Sequence, residues 1–133
     1  MDEVNIVIRE FDKEKDEAFI YSSWRNSAYY LCEKARQEPA PQFFRRLTDI
    51  IKSILKVAKV RIACFQESPE VIVGYAISTG THLNWIYVKE DFRERGIATL
   101  LFPDSTETVT DHLTKQGNKI VEKKNLKTKE NPL

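Results

Sequence analysis

The residues from Arg93 to Ala98 have the types and spacing that suit a phosphate-binding turn. They read Arg-Glu-Arg-Gly-Ile-Ala, between a strand-like apolar run and a second apolar run that ends at Phe102. The first N–H groups of a helix have no intrahelical partner and can donate to a phosphate. Gly96 removes a Cβ where a ligand would come close, and Arg93 and Arg95 add positive charge. A pyrophosphate could therefore be held here largely by the backbone.

The same segment could also be a charged turn between a strand and a helix, in which the glycine only suits the bend. The pattern Arg-x-x-Gly-x-Ala does not decide between the two interpretations by itself. Two other phosphate-binding patterns are excluded. The Walker motif requires Gly-Lys-Ser/Thr, and the dinucleotide fingerprint requires three spaced glycines in a parallel βαβ unit; the sequence contains neither.

Short segments rich in Val, Ile, Phe and Tyr predict the strands that would position this turn. The predicted strands are residues 5–11, 60–66, 71–78, 82–88 and 108–113. The three in the middle follow one another across short turns, which predicts antiparallel hairpins. A last extended piece is predicted within 125–133.

Helical spacing predicts two long helices between the first and second strands. The first covers 15–32, after Asp12 and an acid-rich first turn. Its apolar face is Ile20, Trp24, Ala28 and Leu31. The second covers 42–58, beyond an extended linker set by Pro39 and Pro41. Its apolar face is Phe44, Leu47, Ile51, Ile54 and Ala58.

A third helix is predicted at 96–102, directly after the candidate phosphate turn. Pro103 would cost about 3 kcal/mol in a helix interior, so this helix must be short, kinked or restarted at the proline. A weaker helix is predicted at 115–124. The order of elements indicates one α+β domain over residues 1–133, with a mixed, mainly antiparallel sheet flanked by helices.

Composition limits the classes of function. Of the 133 residues, 41% are hydrophobic and 31% charged, which is typical of a soluble globular protein, and the net charge of +1 gives no general attraction to nucleic acid. No apolar run approaches the roughly 20 residues that span a bilayer. The N-terminus lacks a signal-peptide pattern, so we expect a cytoplasmic protein without membrane contact. Residues 115–133 hold six lysines and two glutamates and form a basic segment, either solvated or in contact with an acidic partner.

Metal and thiol chemistry are not indicated. Cys32 and Cys64 lie far apart, without metal-type spacing, and are expected to be small buried thiols. The histidines, His82 and His112, are also separate, so no metal site is expected.

The segment from Ile86 to Leu101 resembles the acyl-CoA-binding motif of the GNAT superfamily of N-acyltransferases, commonly V-x-P-x-(Y/F)-R-x-x-G-x-(G/A)-x-x-L. The matching residues are Val88, Phe92, Arg93, Gly96, Ala98 and Leu101. The order of elements over residues 5–113, with two helices between the first two strands, also fits this superfamily. The resemblance implies a GNAT-like fold with an abbreviated C-terminal arm, and acetyl-CoA or another acyl-CoA as co-substrate.

The resemblance also implies where the cofactor would bind. The pantetheine arm is expected beside the fourth strand where it diverges from the fifth, and the pyrophosphate on the turn that follows. The expected cofactor-binding residues are Ile86, Tyr87, Val88, Arg93, Glu94, Arg95, Gly96, Ile97, Ala98 and Thr99. Two departures are Glu90, where the family often has proline, and Glu94, where it often has glycine.

The implied reaction is transfer of an acetyl or other acyl group from acyl-CoA to an amine acceptor whose identity the sequence does not give. Many family members have a tyrosine after the fifth strand as general acid, but this chain has no tyrosine after Tyr87. The fourth strand offers His82 and Asn84 but no carboxylate before Glu90. The general base and acid are therefore unassigned, and the candidates for catalysis are Asn84, Ser105 and His112.

Several alternatives stay open. A GNAT-fold module that binds acyl-CoA or a partner with little catalysis is the main one, and an acyltransferase acting on nucleic acid, with the lysine-rich segment along phosphates, is another. A homodimer is also compatible with the sequence. Among the helix aromatics, Trp24 and Phe44 are expected in the core, and either Tyr29 or Tyr30 in an acceptor pocket.

Overall fold

A computed structural model describes residues 5–31, 37–103, 105–110 and 127–129 of the chain. In these residues one six-stranded sheet has its strands in chain order. The strands are β1 (Ile6–Glu10), β2 (Lys59–Phe65), β3 (Ile72–Thr79), β4 (His82–Val88), β5 (Thr108–Thr110) and β6 (Lys127–Lys129). The helices are α1 (Lys13–Leu31), α2 (Ala40–Leu55) and α3 (Ile97–Leu101).

Pairing within the sheet changes direction at β4. Strands β1 to β4 pair antiparallel, whereas β5 pairs parallel with β4 and β6 pairs parallel with β5. The predicted α+β fold with a mixed, mainly antiparallel sheet is confirmed. Strand β6 lies in the predicted C-terminal extended piece. The predicted helix at 115–124, and residues 111–113 of the predicted fifth strand, lie outside the described residues.

Helices α1 and α2 cover one face of the sheet. The Asp12 carboxylate accepts from the amides of Glu14 and Lys15 at 3.1 and 3.4 Å, so Asp12 caps α1 as the sequence predicts. The buried hydrophobic residues of the two helices, in the part that the structure describes, are Ile20, Trp24, Ala28, Phe43, Leu47 and Ile51. The Trp24 ring stacks on that of Trp85 in β4, with centroids 5.5 Å apart.

One detail of the predicted α2 face is wrong. Phe43, not Phe44, is fully buried, and Phe44 is only partly covered. Helix α2 begins at Ala40, two residues before the predicted start, and Pro39 and Pro41 frame its first turn. Proline is well tolerated there because the first helical N–H groups have no intrahelical partner.

Helix α3 packs against the other face of the sheet. It buries Ile97, Ala98 and Leu101 in a cluster with Ile86 and Val88 of β4, among other residues. The helix ends at Leu101, so of the three predicted outcomes for Pro103 the short helix is correct. The turn that precedes α3 is thereby fixed to the carboxyl end of β4.

A close contact between strands fixes that end of β4. A Cβ on Gly74 of β3 would lie 2.6 Å from the Tyr87 carbonyl oxygen, 3.2 Å from Val88 Cα and 3.3 Å from Leu101 Cδ1. Only glycine leaves room for this approach, because two of the three opposing atoms are backbone. Gly74 therefore lets β4 and α3 lie close to β3.

Candidate functional site

The pairing of β4 with β5 is short in the described residues. Their pairing in the described residues consists of His82↔Thr108 and Leu83↔Val109. On its other side β4 stays paired with β3 as far as Gly74↔Val88. Residues 84–88 therefore have one edge with no β5 partner in the described part of the chain. We call this divergence the fork; its base is the two residue pairs, and its gap runs beside residues 84–88.

A β-bulge lies at the point where the fork opens. Ile77 of β3 is opposite Trp85, and its neighbour Ser78 is opposite Leu83, so Asn84 has no partner residue on β3. A bulge leaves its extra residue out of the ladder and bends the strand. It also reverses the side-chain alternation: Leu83 joins the α3-side cluster, whereas Trp85 joins the cluster under α1 and α2.

The side chain of Asn84 is oriented by a neighbour. Its Oδ1 accepts a hydrogen bond of 2.8 Å from the Thr79 hydroxyl, which directs the amide NH₂ group away from that contact. A carboxamide does not titrate near neutral pH, so Asn84 can donate or orient at the fork but cannot take a proton from an amine.

His82 lies at the base of the fork. Its two ring nitrogens, Nδ1 and Nε2, lie 2.9 and 2.8 Å from the hydroxyls of Thr108 and Thr110. The sequence names Thr110 only as a residue that could donate to a thiolate, and it does not single out Thr108. Their spacing of two was an available signal, because it puts both side chains on the same face of β5.

The turn after β4 is held by the first arginine of the motif. Residues Glu90–Phe92 form one 3₁₀ turn, and the Arg93 amide donates to the Glu90 carbonyl at 3.2 Å. The Arg93 guanidinium folds back, and its Nε–H donates to the Val88 carbonyl at 2.9 Å. Arg93 therefore ties the turn to the end of β4 with both its backbone and its side chain.

Two residues of this turn have left-handed backbone conformations. Glu94 has a φ of 64° and Gly96 a φ of 80°. Such a φ costs a non-glycine residue roughly 1–2 kcal/mol, so Glu94 keeps the shape that glycine would take at its position. A Cβ on Gly96 would meet no atom within 4 Å, so the space in front of this residue is open.

Several N–H groups at the start of α3 have no backbone acceptor in the residues that the structure describes. The Leu100 amide donates to the Gly96 carbonyl at 3.1 Å, as expected one turn into a helix. In the described part of the chain, the amides of Arg95, Gly96, Ile97, Ala98 and Thr99 donate to no backbone carbonyl. Consecutive amides near left-handed residues form a concave group of donors that suits an anion.

The segment that leads into these amides carries charges of both signs. The Arg95 guanidinium lies over the Phe92 ring, 5.7 Å from its centroid, and the Lys89 ammonium lies 5.1 Å from the Phe19 centroid. Carboxylates of Glu90, Asp91 and Glu94 belong to the same segment. The two cations thus contact aromatic rings, while the space where a Gly96 Cβ would lie is open.

The gap of the fork has apolar walls. Ile86 and Val88 are buried on the α3 side of the sheet. Tyr87 is half-buried on the opposite side, where its ring centroid lies 6.1 Å from that of Phe19 and 5.6 Å from that of Tyr75. The residues expected beside the pantetheine arm therefore lie along the part of β4 that has no β5 partner in the described residues.

Other sequence-predicted site residues lie elsewhere. Ser105 is exposed and precedes β5, so it lies before the base of the fork, on the side away from the gap. His112 lies outside the described residues. Tyr29 packs against Phe43 and Phe44, whereas Tyr30 is 72% exposed.

The expected buried thiol is confirmed for Cys64, while Cys32 lies outside the described residues. In the described ranges no group of three His, Cys, Asp or Glu side chains could hold a metal ion. No helix in the part of the chain that the structure describes is long and apolar enough to span a membrane.

Known structures share this architecture. A proposed acetyl transferase from Pyrococcus furiosus is similar with a TM-score of 0.60 and 14% identity, over 95% of this chain and 81% of that chain. A GCN5-related N-acetyltransferase from Rhodopseudomonas palustris is similar with a TM-score of 0.53 and 20% identity, over 94% and 71% of the two chains. A possible acetyltransferase from Clostridium difficile gives a TM-score of 0.51 and 18% identity, over 96% and 78%.

The sequence itself matches no protein-family model and no curated protein. At these identities, the structural likeness shows the fold alone. It agrees with the order of elements that the sequence predicts. The resemblance to the GNAT superfamily is thereby confirmed at the level of the fold: the chain is a GNAT-fold protein.

Proposed function

We propose that the protein is an N-acyltransferase that binds acetyl-CoA or another acyl-CoA in the fork and transfers the acyl group to an amine. One observation carries the proposal: in the described part of the chain, a strand edge of β4 without a β5 partner leads directly into a turn whose amides donate to no backbone carbonyl. An acyl-CoA has the matching parts in the matching order, an acyl thioester, an extended arm and a pyrophosphate.

The pyrophosphate is proposed to bind the amides of Arg95 to Thr99. Gly96, one of these donors, has open space where a Cβ would lie. The guanidinium of Arg95 adds charge from the exposed side, while Arg93 acts by holding the turn to Val88. The Glu94 side chain leaves the backbone donors in place, because its φ already matches a glycine-like turn.

The pantetheine arm is proposed to lie in the gap beside residues 84–88. It contains two amide groups and can pair with an unpaired strand edge much as an added strand does. Such pairing would satisfy backbone groups of β4 that β5 leaves unpaired in the described residues. Ile86 and Val88 give the gap an apolar wall, which suits the methylene groups of the arm.

The thioester would then lie close to the bulge at Asn84. In the transfer, the amine nitrogen attacks the thioester carbonyl carbon, a C–N bond forms and the C–S bond breaks. CoA departs as a thiolate, which is a tolerable leaving group because ordinary thiols have a pKa of about 8.5, and the amine proton passes to that thiolate or to water. A lysine-like acceptor, with a pKa of about 10.4, needs a base or desolvation to be neutral at pH 7.

Calorimetric titration with acetyl-CoA and CoA tests this function. Wild-type protein is expected to bind both. Gly96→Trp is expected to abolish binding, because it fills the open space in front of the amides. Gly80→Trp is a matched control: Gly80 also has a positive φ, 59°, and a Cβ added to it would meet no atom within 4 Å, but it lies at the opposite end of β4. Absence of binding by the wild type would overturn the proposal.

A second candidate is a GNAT-fold module that binds acyl-CoA without transfer. The observation that favours it concerns the polar side chains at the fork: Asn84 cannot act as a base, and both ring nitrogens of His82 contact threonine hydroxyls. Acetyl-CoA binding without acyl transfer across a panel of alkyl, aryl and α-amines would favour the module. Transfer to any one of these amines would favour the enzyme.

A further inference from the structure

One imidazole spans the base of the fork. His82 is the first residue of β4, and its ring contacts Thr108 through Nδ1 and Thr110 through Nε2, at 2.9 and 2.8 Å. The neighbouring residues Leu83 and Val109 point toward α3. Because side chains alternate along a strand, those of His82, Thr108 and Thr110 lie on the opposite face of the sheet, under α1 and α2. The contact therefore connects the two strands on a single face.

These side-chain contacts supplement a short backbone ladder. In the described residues β4 and β5 share two paired positions. The Thr81 carbonyl also accepts from the amides of Glu107 and Thr108, at 2.8 and 3.3 Å. All of these backbone ties lie at or before the base, whereas Thr110 is one residue beyond it and only 6% exposed. The His82–Thr110 bond therefore acts at the edge of the gap.

The chemistry of the three groups suits a fixed bridge. A neutral imidazole has one donor and one acceptor nitrogen, and a threonine hydroxyl can serve as either. Both bonds can therefore form in either tautomer. A planar ring bonded at both nitrogens fixes a distance, so it holds Thr110 at a set separation from β4.

We propose that His82 is a positioning residue, which sets the width of the fork at the level of Asn84 through Thr108 and Thr110. The width determines how far the acyl end of a bound acyl-CoA enters the gap. This inference rests on the proposed function for the identity of the ligand. His82 acts through the threonines and does not contact the acyl group.

Four variants separate this role from a general loss of stability. His82→Leu removes both bonds, and Thr110→Val removes the hydroxyl nearest the gap while keeping the shape of the side chain. His82→Gln keeps one donor and one acceptor. Thr48→Val is the matched control, because Thr48 also has a hydrogen-bonded hydroxyl, 2.6 Å from the Phe44 carbonyl, but lies on α2.

Each variant is titrated with acetyl-CoA and with ADP, which carries a pyrophosphate but no pantetheine arm. His82→Leu and Thr110→Val are each expected to weaken acetyl-CoA binding about tenfold, as loss of a hydrogen bond that positions the ligand would do, with ADP binding unchanged. The double variant is expected to be no weaker than His82→Leu, because the two residues act as one unit. His82→Gln is expected to recover much of the loss, and Thr48→Val to bind both ligands normally.

Equal losses for ADP and acetyl-CoA, or fully additive losses in the double variant, would overturn the inference. So would normal acetyl-CoA binding by His82→Leu when the wild type binds, a result that leaves the proposed function intact. Failure of the wild type to bind acetyl-CoA would overturn both.

Amide hydrogen exchange without ligand checks the physical basis independently. His82→Leu is expected to exchange faster than wild type at Leu83, Val109 and Thr110, with β2 unchanged. Unchanged exchange at the base of the fork would contradict a bridge by His82 even if acetyl-CoA binds.

Discussion

The two arginines of the candidate turn have different tasks. Arg93 is half-buried and donates to the Val88 carbonyl, whereas Arg95 is exposed and lies over the Phe92 ring. The sequence predicts both near the phosphates because their charges are equal. The sequence cannot tell the roles of Arg93 and Arg95 apart. The 3₁₀ turn after β4 determines which guanidinium turns back toward the strand.

Exchange of each arginine for lysine tests this difference. Arg93→Lys keeps the charge but loses the fixed Nε–H donor, so we expect a loss of about 1 kcal/mol in the free energy of unfolding and weaker acetyl-CoA binding. Arg95→Lys is the control and should leave unfolding unchanged. Urea unfolding monitored by fluorescence of the two tryptophans measures both. Equal effects at the two positions would contradict the assigned roles.

Asp16 makes the stability depend on pH in acid. Burial opposes its charge, but hydrogen bonds from the Arg9 guanidinium, both 2.7 Å long, and from the Asp12 amide outweigh burial and lower the pKa of Asp16. Because the pKa of Asp16 is lower in the folded than in the unfolded protein, its ionised form stabilises the fold at any pH above the ordinary carboxyl pKa. This stabilisation is lost as the pH falls through the pKa of Asp16 in the folded protein.

Asp16→Asn is therefore expected to cost about 3 kcal/mol at pH 7, because it leaves the Arg9 guanidinium without its charged partner. The difference in the free energy of unfolding between Asp16→Asn and wild type should shrink as the pH falls below about 4. Urea unfolding over a pH series measures it, with exposed Glu14→Gln as the control. If the difference in the free energy of unfolding stayed the same at every pH, the ion pair between Arg9 and Asp16 could not be its cause.

At the scale of elements, the strands are more predictable from the sequence than their irregularities. The predicted bounds of β4 are correct, but the bulge at Asn84 was not predicted. The strand reads His-Leu-Asn-Trp-Ile-Tyr-Val, and its last four residues are apolar whichever face they meet. A strand covered on both faces shows no alternation, so a change of register leaves no mark in the sequence.

The neighbouring aromatics of α2 show a similar limit. Phe43 and Phe44 differ by one helical position, and either could begin the apolar stripe with Leu47. In the folded protein Phe43 lies in the buried cluster with Ile20 and Trp24, whereas Phe44 is partly buried and packs against that cluster. Tertiary packing thus selects between two residues that helical spacing alone ranks almost equally.

Gly74 links the sheet to the candidate site. Gly74→Ala is expected to cost about 1–3 kcal/mol and to weaken acetyl-CoA binding, because the new methyl group displaces the backbone of β4 or the Leu101 side chain. Gly80→Ala is the control, since its strain comes from φ alone. Thermal unfolding and calorimetry measure the two effects. Normal acetyl-CoA binding by Gly74→Ala would show that this end of β4 does not shape the site.

At the scale of the whole molecule, the sheet separates two cores with different roles. One core joins it to α1 and α2, and the other joins it to α3 and the candidate turn. The motif and the order of elements predict this architecture from the sequence. The acceptor is not predicted, because the residues that would select it are distributed over segments that no motif defines, and His112 lies outside the described residues.

A bound acyl-CoA is expected to lie along β4 and the turn before α3, and amide NMR spectra with and without acetyl-CoA test this placement most directly. The shifts are expected to concentrate in two runs, residues 84–88 and 94–99. The amides of α1 and α2 far from the sheet should move little. No shifts at saturating acetyl-CoA, or shifts confined to regions outside these two runs, would contradict the proposed site.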